Sequence, residues 1–595
     1  MHNHKLFLFA TALCLLLAHA GYAQRGDWFN DPDEYAFAGA GTAASPYLIN
    51  SVTDLVHLAE RVNRWQGEDF AGRHFLLTSD INLGRHYWIP IGSERENPFR
   101  GIFNGNGRII RNLHIGEAGS GNVFEACGLF GYVGEGARII NLSIVGGHIL
   151  GGGRDLTTRA GALAGLLTCN AADGREDSII IRNCRNIGVH ISGGKADISV
   201  AGGLIGEAYS YCRGSGAAII LVENCANNSF VTGGTARYSF AGGIMGKGRG
   251  HGQGSSRMAA IALCLIYADR NAGAVQGGSA TGREAISAAG GILGHGQGAA
   301  EGPTASEGLC AIRYCINTAG ISGGDAPSPF AQSCAGGLLG YADGYGSGER
   351  SSSAAVGSFM MQMSANRGQV SGSRAVQQTA QSSVGGLLGF AAASVFASEG
   401  SSGGDIACEG RFSLENCYSY AAVSARRGMA GGLAGCVATR GNGSNRRASA
   451  VLRNSFAAGT INRGDSVYPV SAGGIVGSIR KGRAAGTAPV VSNCLAALSY
   501  LNGAPGRTFR IAGQLSGLSE PYTQALSNNY AYAGSGRWGK ESSKRNGLDW
   551  DLSLLSPPFT EWDFRNRTWL ADADRMSLPT LNRLPNQVKM PVPNN

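Results

Sequence analysis

Charge is scarce in this sequence. Asp, Glu, Lys and Arg make up 15 % of its 595 residues, well below the usual quarter, which excludes a chain kept disordered by charge. The net charge of +9 comes from scattered arginines. No basic stripe interleaved with aromatics is present, so nucleic-acid binding is not expected. Beyond the N-terminus no run of about 18 apolar residues occurs, so no membrane span is predicted. There is no Cys-x-x-Cys pair and no Cys/His set with zinc spacing, so no metal or cofactor is expected. The phosphate-cradling Gly-x-x-x-x-Gly-Lys-Ser/Thr is absent, and so is a collagen-like glycine period.

What is present begins with an export signal. His4 and Lys5 precede an apolar run, Leu6 to Ala18, broken only by Thr11. Two small-x-small sites follow, Ala18-His19-Ala20 and Gly21-Tyr22-Ala23. That order is a secretory signal. The chain is therefore expected to lose residues 1–23 and to be secreted, outer-membrane associated or on the cell surface. Cys14 leaves with the signal, and the odd number of cysteines that remains cannot pair completely within one chain.

Glycine is abundant, 94 residues, while apolar content stays globular at 43 %. The glycines carry a repeat. Small-Gly-Gly-aliphatic-x-Gly recurs seven times, with glycines at 202, 203 and 206, at 242, 243 and 246, and at 290, 291 and 294. The further copies are Gly336, Gly337 and Gly340; Gly385, Gly386 and Gly389; Gly431, Gly432 and Gly435; and Gly473, Gly474 and Gly477. Written out, the first three are Gly202, Gly203, Gly206, then Gly242, Gly243, Gly246, then Gly290, Gly291, Gly294, and a shorter earlier copy holds Gly128 and Gly131. The first glycines lie 40 to 49 residues apart.

Between these copies falls aliphatic-x-Asn-Cys, as in Ile181-Arg182-Asn183-Cys184 and Leu414-Glu415-Asn416-Cys417. Leu263-Cys264, Tyr314-Cys315 and Asn454-Ser455 read as degenerate copies. Each repeat thus splits into halves of roughly 20–25 residues, about one turn of a solenoid. The expected fold is all-β, a right-handed parallel β-helix. Some 15–20 turns would make a rod of about 70–95 Å. The Gly-Gly pairs suit corners that need φ > 0 or close backbone approach. Cysteines and asparagines are expected to stack inside. Gly/Ser/Ala-rich stretches such as 246–257 and 399–405 are expected to loop out.

The ends differ. Ser51–Arg64 has Leu55, Leu58, Ala59 and Val62 on one helical face, with Ser51 or Thr53 as N-cap. This helix is expected to cap the apolar stack. The tail carries Trp538, Trp550, Trp562 and Trp569, either as anchors of a C-terminal cap or as a sugar-stacking platform. The expected division is signal 1–23, N-terminal cap and first turns 24–115, repeat 116–500 and C-terminal cap region 501–595.

Together these motifs resemble the GLUG-motif repeat family of bacterial surface proteins, common among Bacteroidota. Gly128-Leu129-Phe130-Gly131 carries its core signature. Ser45-Pro46-Tyr47-Leu48-Ile49, Phe75–Leu83, Trp88–Gly92, Phe99–Gly107 and the stretch from Trp562-Asp563-Phe564 to Leu581 are similar to its flanking blocks. The resemblance implies an adhesin-like surface protein. Some members are accessory regions of peptidases, but no His-Glu-x-x-His is present here.

Function is thus expected to be non-catalytic binding of an extracellular glycan or a host or microbial surface protein. The alternatives are a carbohydrate-active β-helix enzyme (lyase or hydrolase) and a purely structural spacer. For the enzyme, Asp173, Glu176, Glu207 and Glu223 form no compelling set. Candidate ligand contacts are Trp538, Trp562, Trp569, Arg463 and Asp465. The last two belong to Arg463-Gly464-Asp465 which, like Arg25-Gly26-Asp27, reads better as chance than as an integrin motif.

Overall fold

The computed structural model describes residues 36–584 with interruptions, the longest at 398–407, 533–544 and 551–561. The signal segment, Arg25-Gly26-Asp27, Asp173, the 399–405 stretch, Asp465 and Trp538 lie outside the described residues.

The chain winds into a parallel β-helix. One rung serves as the pattern. Ile198–Gly202 lies in sheet 1, Ile205–Gly214 in sheet 2 and Gly216–Glu223 in sheet 3. Sheet 4 receives two short pieces, Ala226–Asn227 and Val231–Thr232. Tyr238–Gly242 then returns to sheet 1, with Gly202 opposite Gly242. A turn is therefore the whole repeat, not half of it. Sheets 1 and 2 have ten strands each and sheet 3 has 13, which gives a rod of about 60 Å at the usual strand spacing. The expected half-repeat turn and longer rod are corrected by this register. The Gly-Gly and Asn-Cys motifs mark two different corners of the same turn.

Rungs lengthen toward the middle of the chain and shorten after it, Glu415 pairing with Arg453 only 38 residues on, while the register holds. Phe75 pairs with Phe103, 28 residues on, and Gln362 with Glu415, 53 residues on. Much of the variation falls between sheets 2 and 3, where one residue separates Gly214 from Gly216 but six separate Gly348 from Ala355.

The glycine motif builds the bend between sheets 1 and 2. Its small residue and aliphatic residue face inward, so Ala201, Leu204, Ala241, Ile244, Ala289 and Ile292 are fully buried. The motif glycines do not have positive φ, so of the two expected reasons close approach is the operative one. A Cβ on Gly243 would stand 2.1 Å from the Gly291 carbonyl oxygen and 2.3 Å from Asn271 Cγ. That asparagine belongs to a buried ladder. Asn227 Nδ2 donates to Asn271 Oδ1 at 2.9 Å, Asn271 to Asn317 at 2.8 Å and Asn317 to Asn366 at 2.8 Å. Each amide also donates to a carbonyl of its own turn, as Asn271 does to Gly273 at 2.8 Å. Buried amides satisfied in this way rigidify the stack.

The Asn-Cys motif builds the corner between sheets 3 and 4. Here ten successive rungs hold a non-glycine residue at φ between 50° and 58°, from Asn141 to Asn528. Asparagine tolerates that conformation best, and its side chain points outward. Asn183 Nδ2 donates to Asn141 Oδ1 at 2.9 Å, in an external ladder. The residue that follows points inward. Cys315 Sγ donates to Arg313 O at 3.3 Å, and the Cys315 N–H donates to Ser364 Oγ of the next rung at 3.1 Å. Ser364, Cys417, Ser455 and Cys494 repeat that contact. Cysteine and serine are interchangeable at this position because each is small and carries a hydrogen that can satisfy the corner carbonyl. The corner of the degenerate copy is Ala268-Asp269, not Leu263-Cys264. Cys264 instead sits within sheet 3, opposite Cys310.

All 13 cysteines among the described residues are buried; eleven join the interior core as expected, while Cys334 and Cys436 pack in the outward cluster between sheets 1 and 2. Burial holds the thiols of Cys417 and Cys494 up at about 12, so they stay protonated and unreactive.

The helix Val52–Asn63 occupies the first rung. Ser51 is its N-cap and forms a capping box with Asp54. Leu55, Leu58, Ala59 and Val62 are buried as expected. They join a cluster in which Phe70 and Phe75 meet edge-on at 5.1 Å. Asn63 ties the helix end down, donating to Pro90 O at 2.9 Å and accepting from Gly92 N at 2.8 Å.

Two outcomes follow from the corner chemistry. A thiol reagent should find essentially no reactive cysteine in native residues 24–595 and 13 after denaturation; several reactive native thiols would contradict the burial. Asp269, fully buried in the corner column, has a carboxyl pushed well up by burial, and its Oδ2 has no partner. A raised folded pKa means that stability is fully present below the unfolded value of about 3.9 and is lost as pH rises through the folded value. Asp269→Asn, which can mimic Asn529 at the equivalent corner, should raise the melting temperature at pH 8 by an amount worth roughly 1–3 kcal/mol. The gain should shrink toward pH 4, and a lower melting temperature at pH 8 would refute this reading.

Candidate functional site

Sheet 2 has an alternating strand, Gly248-Arg249-Gly250-His251-Gly252-Gln253-Gly254, within Met245–Gly254. This is the segment expected to loop out, and it is instead a ten-residue strand. Its glycines face inward because sheets 2 and 3 meet backbone to backbone. A Cβ on Gly250 would lie 2.3 Å from Leu309 O, on Gly298 1.7 Å from Ser358 O and on Gly344 1.8 Å from Arg411 O. With no room inside, every large side chain of this stretch projects outward.

The outward residues stack by register. Glu207, Lys247, His295, Tyr341 and Phe390 form the column nearest sheet 1. Tyr209, Arg249, Gln297 and Asp343 form the next, and Tyr211, His251, Ala299 and Tyr345 the third. Sheet 1 flanks the first column along a furrow, the outer angle between the two sheets, in which side chains of both sheets pack together. Phe240 packs on His295 with ring centroids 4.7 Å apart, and Arg159 bonds both Glu207 and Glu125. The floor is buried, with Glu207 6 %, Tyr341 8 % and Phe390 3 % exposed.

The floor is ionic at one end and aromatic further on. Burial alone would raise the Glu207 carboxyl, but Lys247 at 2.8 Å and Arg159 outweigh it and hold it at about 2. Burial, reinforced by Lys247, pushes the His295 imidazole down to about 3, so it is neutral. Tyr341 and Phe390 stack at 5.0 Å. On the rim Tyr209 and Tyr211 stack at 5.9 Å, and the Arg249 guanidinium lies 5.4 Å from the Tyr209 ring centre. Tyr209 Oη contacts His251 Nδ1 at 3.1 Å. Asp343 is raised to about 6 by burial, against the Ser394 hydroxyl and Arg440.

Three buried polar atoms here lack a hydrogen-bond partner: Arg249 Nε, His251 Nε2 and His295 Nδ1. The Glu301 carboxylate is 3.5 Å from His251 Nε2, close enough for ionic attraction but outside hydrogen-bond geometry. Buried groups of this kind are ordinarily paired, and unpaired ones require an explanation. A concavity of about 740 Å³ lies on sheet 4, lined by Gln276, Ser322, Gln369, Ser371, Thr460 and Asn462 among others. None of its lining residues carries an orphaned buried atom, so the furrow is the stronger candidate.

The residues singled out from sequence fall elsewhere. Trp562 and Trp569 are 3 % and 1 % exposed and stack on each other at 4.5 Å against sheet 4. Their indole nitrogens donate to Asn493 O at 2.9 Å and Asn416 Oδ1 at 3.2 Å. They clamp the C-terminal segment to the flank of the rod and present no face to a ligand. Arg463 is half-buried at the edge of sheet 4. Glu176 is exposed, and Glu223 pairs with Arg182 at 2.7 Å. Of the acids weighed only Glu207 enters the furrow. Tyr209, Arg249 and His251 were missed, although a strict two-residue alternation is the ordinary strand signal.

Among the described residues no group of three or more His, Cys, Asp or Glu side chains is arranged to hold a metal ion. Nor is any helix there long and apolar enough to cross a membrane.

The ionic end can be tested by stability. Glu207→Gln leaves Lys247 and Arg159 facing each other and should cost about 3–5 kcal/mol at pH 7. A depressed folded pKa supplies stability above the unfolded value near 4.3, lost as pH falls through about 2. The difference from wild type in urea melts should therefore narrow below pH 4. A constant difference would place its origin in packing.

Comparison with known proteins gives partial likenesses. No family model matches the chain. It is 36 % identical over 175 residues to a "Putative Gly-rich membrane protein" of Evansella cellulosilytica, covering 28 % of this chain and 18 % of that protein. It is 30 % identical over 146 residues to "Halomucin" of Haloquadratum walsbyi, covering 23 % of this chain and 2 % of that protein. The chain thus spans less than a fifth of the length of either relative. Among solved structures it is similar to a "putative immunoglobulin A1 protease" from Bacteroides ovatus, at 12 % identity and a TM-score of 0.28, over 91 % of this chain and 94 % of that one.

Proposed function

We propose that this chain is an exported, adhesin-like binding protein of the GLUG-repeat type, displayed outside the cytoplasm, and that the furrow beside sheet 2 holds an extracellular glycan bearing acidic groups. The observation that carries the reading is the set of orphaned buried polar atoms at Arg249, His251 and His295 beside the stacked Tyr209 and Tyr211 rings. Aromatic faces suit the apolar faces of sugars. The Arg249 guanidinium and imidazole nitrogens without a hydrogen-bond partner suit carboxylate or sulfate groups. The net charge of +9 draws such polymers in. The names of the two relatives, a membrane protein and a halomucin, accord with a surface setting.

One observation favours a second reading, acid–base chemistry on a polysaccharide. His251 stands between the Tyr209 hydroxyl and the Glu301 carboxylate, and that carboxylate is held low chiefly by the His251 contact. A positioned Tyr–His pair can move a proton.

The mature chain should bind acidic members of a glycan array saturably. Arg249→Ala and Tyr209→Ala should each weaken binding by roughly tenfold or more, as loss of about 1.4 kcal/mol requires, with unchanged circular dichroism. Binding that survives both substitutions would exclude the furrow, and release of unsaturated or reducing ends would favour the enzymatic reading.

A further inference from the structure

A second group of side chains lies on sheet 4, on a different face of the rod and independent of the furrow. His114, His148 and His190 occupy one register position on three successive rungs. His148 and His190 are exposed and His114 is half-buried. Tyr87 adjoins His114 on the preceding side, and Phe230 lies next to His190 on the following rung, where the Ile191 N–H donates to its carbonyl at 3.1 Å. Three imidazoles thus stand in file between two exposed aromatic rings.

The first two already converge. His114 Nδ1 and His148 Nδ1 are 2.9 Å apart, and their ring centroids 4.8 Å apart. The other nitrogen of His148, Nε2, lies 3.0 Å from Gly116 O. A carbonyl only accepts, so Nε2 carries the proton and Nδ1 presents a lone pair. A backbone carbonyl on the far nitrogen is the usual support of a metal-binding histidine. The separation also fits. Two ligands at about 2.0–2.1 Å from one ion, subtending roughly 90–110°, stand about 2.8–3.4 Å apart. In the metal-free pair one Nδ1 hydrogen bridges the two rings. Binding moves that hydrogen of His114 to its Nε2 through solvent, and the ion takes its place.

We propose that His114 and His148 form a surface site for a borderline transition-metal ion, Zn²⁺, Ni²⁺ or Cu²⁺, with His190 as third ligand after its ring turns toward His148. Imidazole nitrogen selects those ions over Mg²⁺ and Ca²⁺. Exposed rings change rotamer on a picosecond-to-nanosecond scale, so the turn of His190 presents no kinetic obstacle. Water fills the remaining positions, which makes the site open.

The test uses the tag-free mature chain, stripped with chelator and titrated calorimetrically with Zn²⁺, Ni²⁺ and Cu²⁺. One ion per chain is expected, with affinity falling as pH is lowered because protons compete for the ligand nitrogens. The Cu²⁺ form should show electron-spin coupling to two or three nitrogens. His148→Ala should weaken binding by more than the roughly 10–100-fold that losing a supporting group costs. His190→Gln should weaken it less and remove one nitrogen from the spectrum, and His251→Ala, in the furrow, should change nothing. Absence of binding in the wild type, or binding that His148→Ala leaves intact in a chain with unchanged circular dichroism, overturns the proposal.

Discussion

Every rung of this molecule presents a full row of backbone N–H and C=O groups that only the next rung can satisfy, in register. That demand governs the rest. Parallel strands must lie about 4.8 Å apart along the whole rod, so a residue type that solves a problem in one turn must solve it again at the same place in the next. Glycine recurs at the bend between sheets 1 and 2 because the Gly291 carbonyl and the Asn271 amide occupy the space a Cβ on Gly243 would need. Asparagine recurs at the corner between sheets 3 and 4 because the backbone there is left-handed. The repeat is the imprint of one geometry on successive turns.

The same demand makes polar groups part of the interior. The buried asparagine ladder and the Cys/Ser corner column each close hydrogen bonds both within a turn and between turns. Satisfaction is not complete: Asn227 Oδ1, at the head of the ladder, and the Ser199, Ser239, Ser287, Ser333 and Ser382 hydroxyls have no partner. Asp269 keeps an unpartnered oxygen in a column of neutral groups, a defect of stability. Arg249 and His295 keep nitrogens without a hydrogen-bond partner on an outward face lined by aromatic rings, and His251 meets Glu301 at ionic range. Because sheets 2 and 3 meet through glycines, that face rests on a thin, close-packed double layer that holds the side chains in register.

Much of this was legible in the residues. The N-cap at Ser51 or Thr53, the apolar helix face and the seven glycine motifs each rest on local chemistry, and the structure, which selects Ser51, places them as local chemistry requires. The Asn-Cys motif was visible too, but its two residues do different work: Asn183 lies outside and Cys184 inside. Halving the repeat was a reasonable error, since two corner motifs per period resemble two turns when only spacing is available. The furrow was missed for a related reason. Glycine at alternate positions reads as flexible linker unless it is known that another sheet's backbone fills the space where side chains would go.

The sequence by itself therefore determined that the chain is an array of stacked β turns with a helix near its start, because periodicity, capping and left-handed corners are written in neighbouring residues. Tertiary structure alone decided how many residues make a turn, which side of each strand faces out, and that the tail tryptophans are buried. Those properties depend on what lies opposite: Leu309 against Gly250, Asn271 against Gly243, Asn493 against Trp562. Partners tens of residues apart are joined only by register, and register is fixed by the simultaneous pairing of all the rungs.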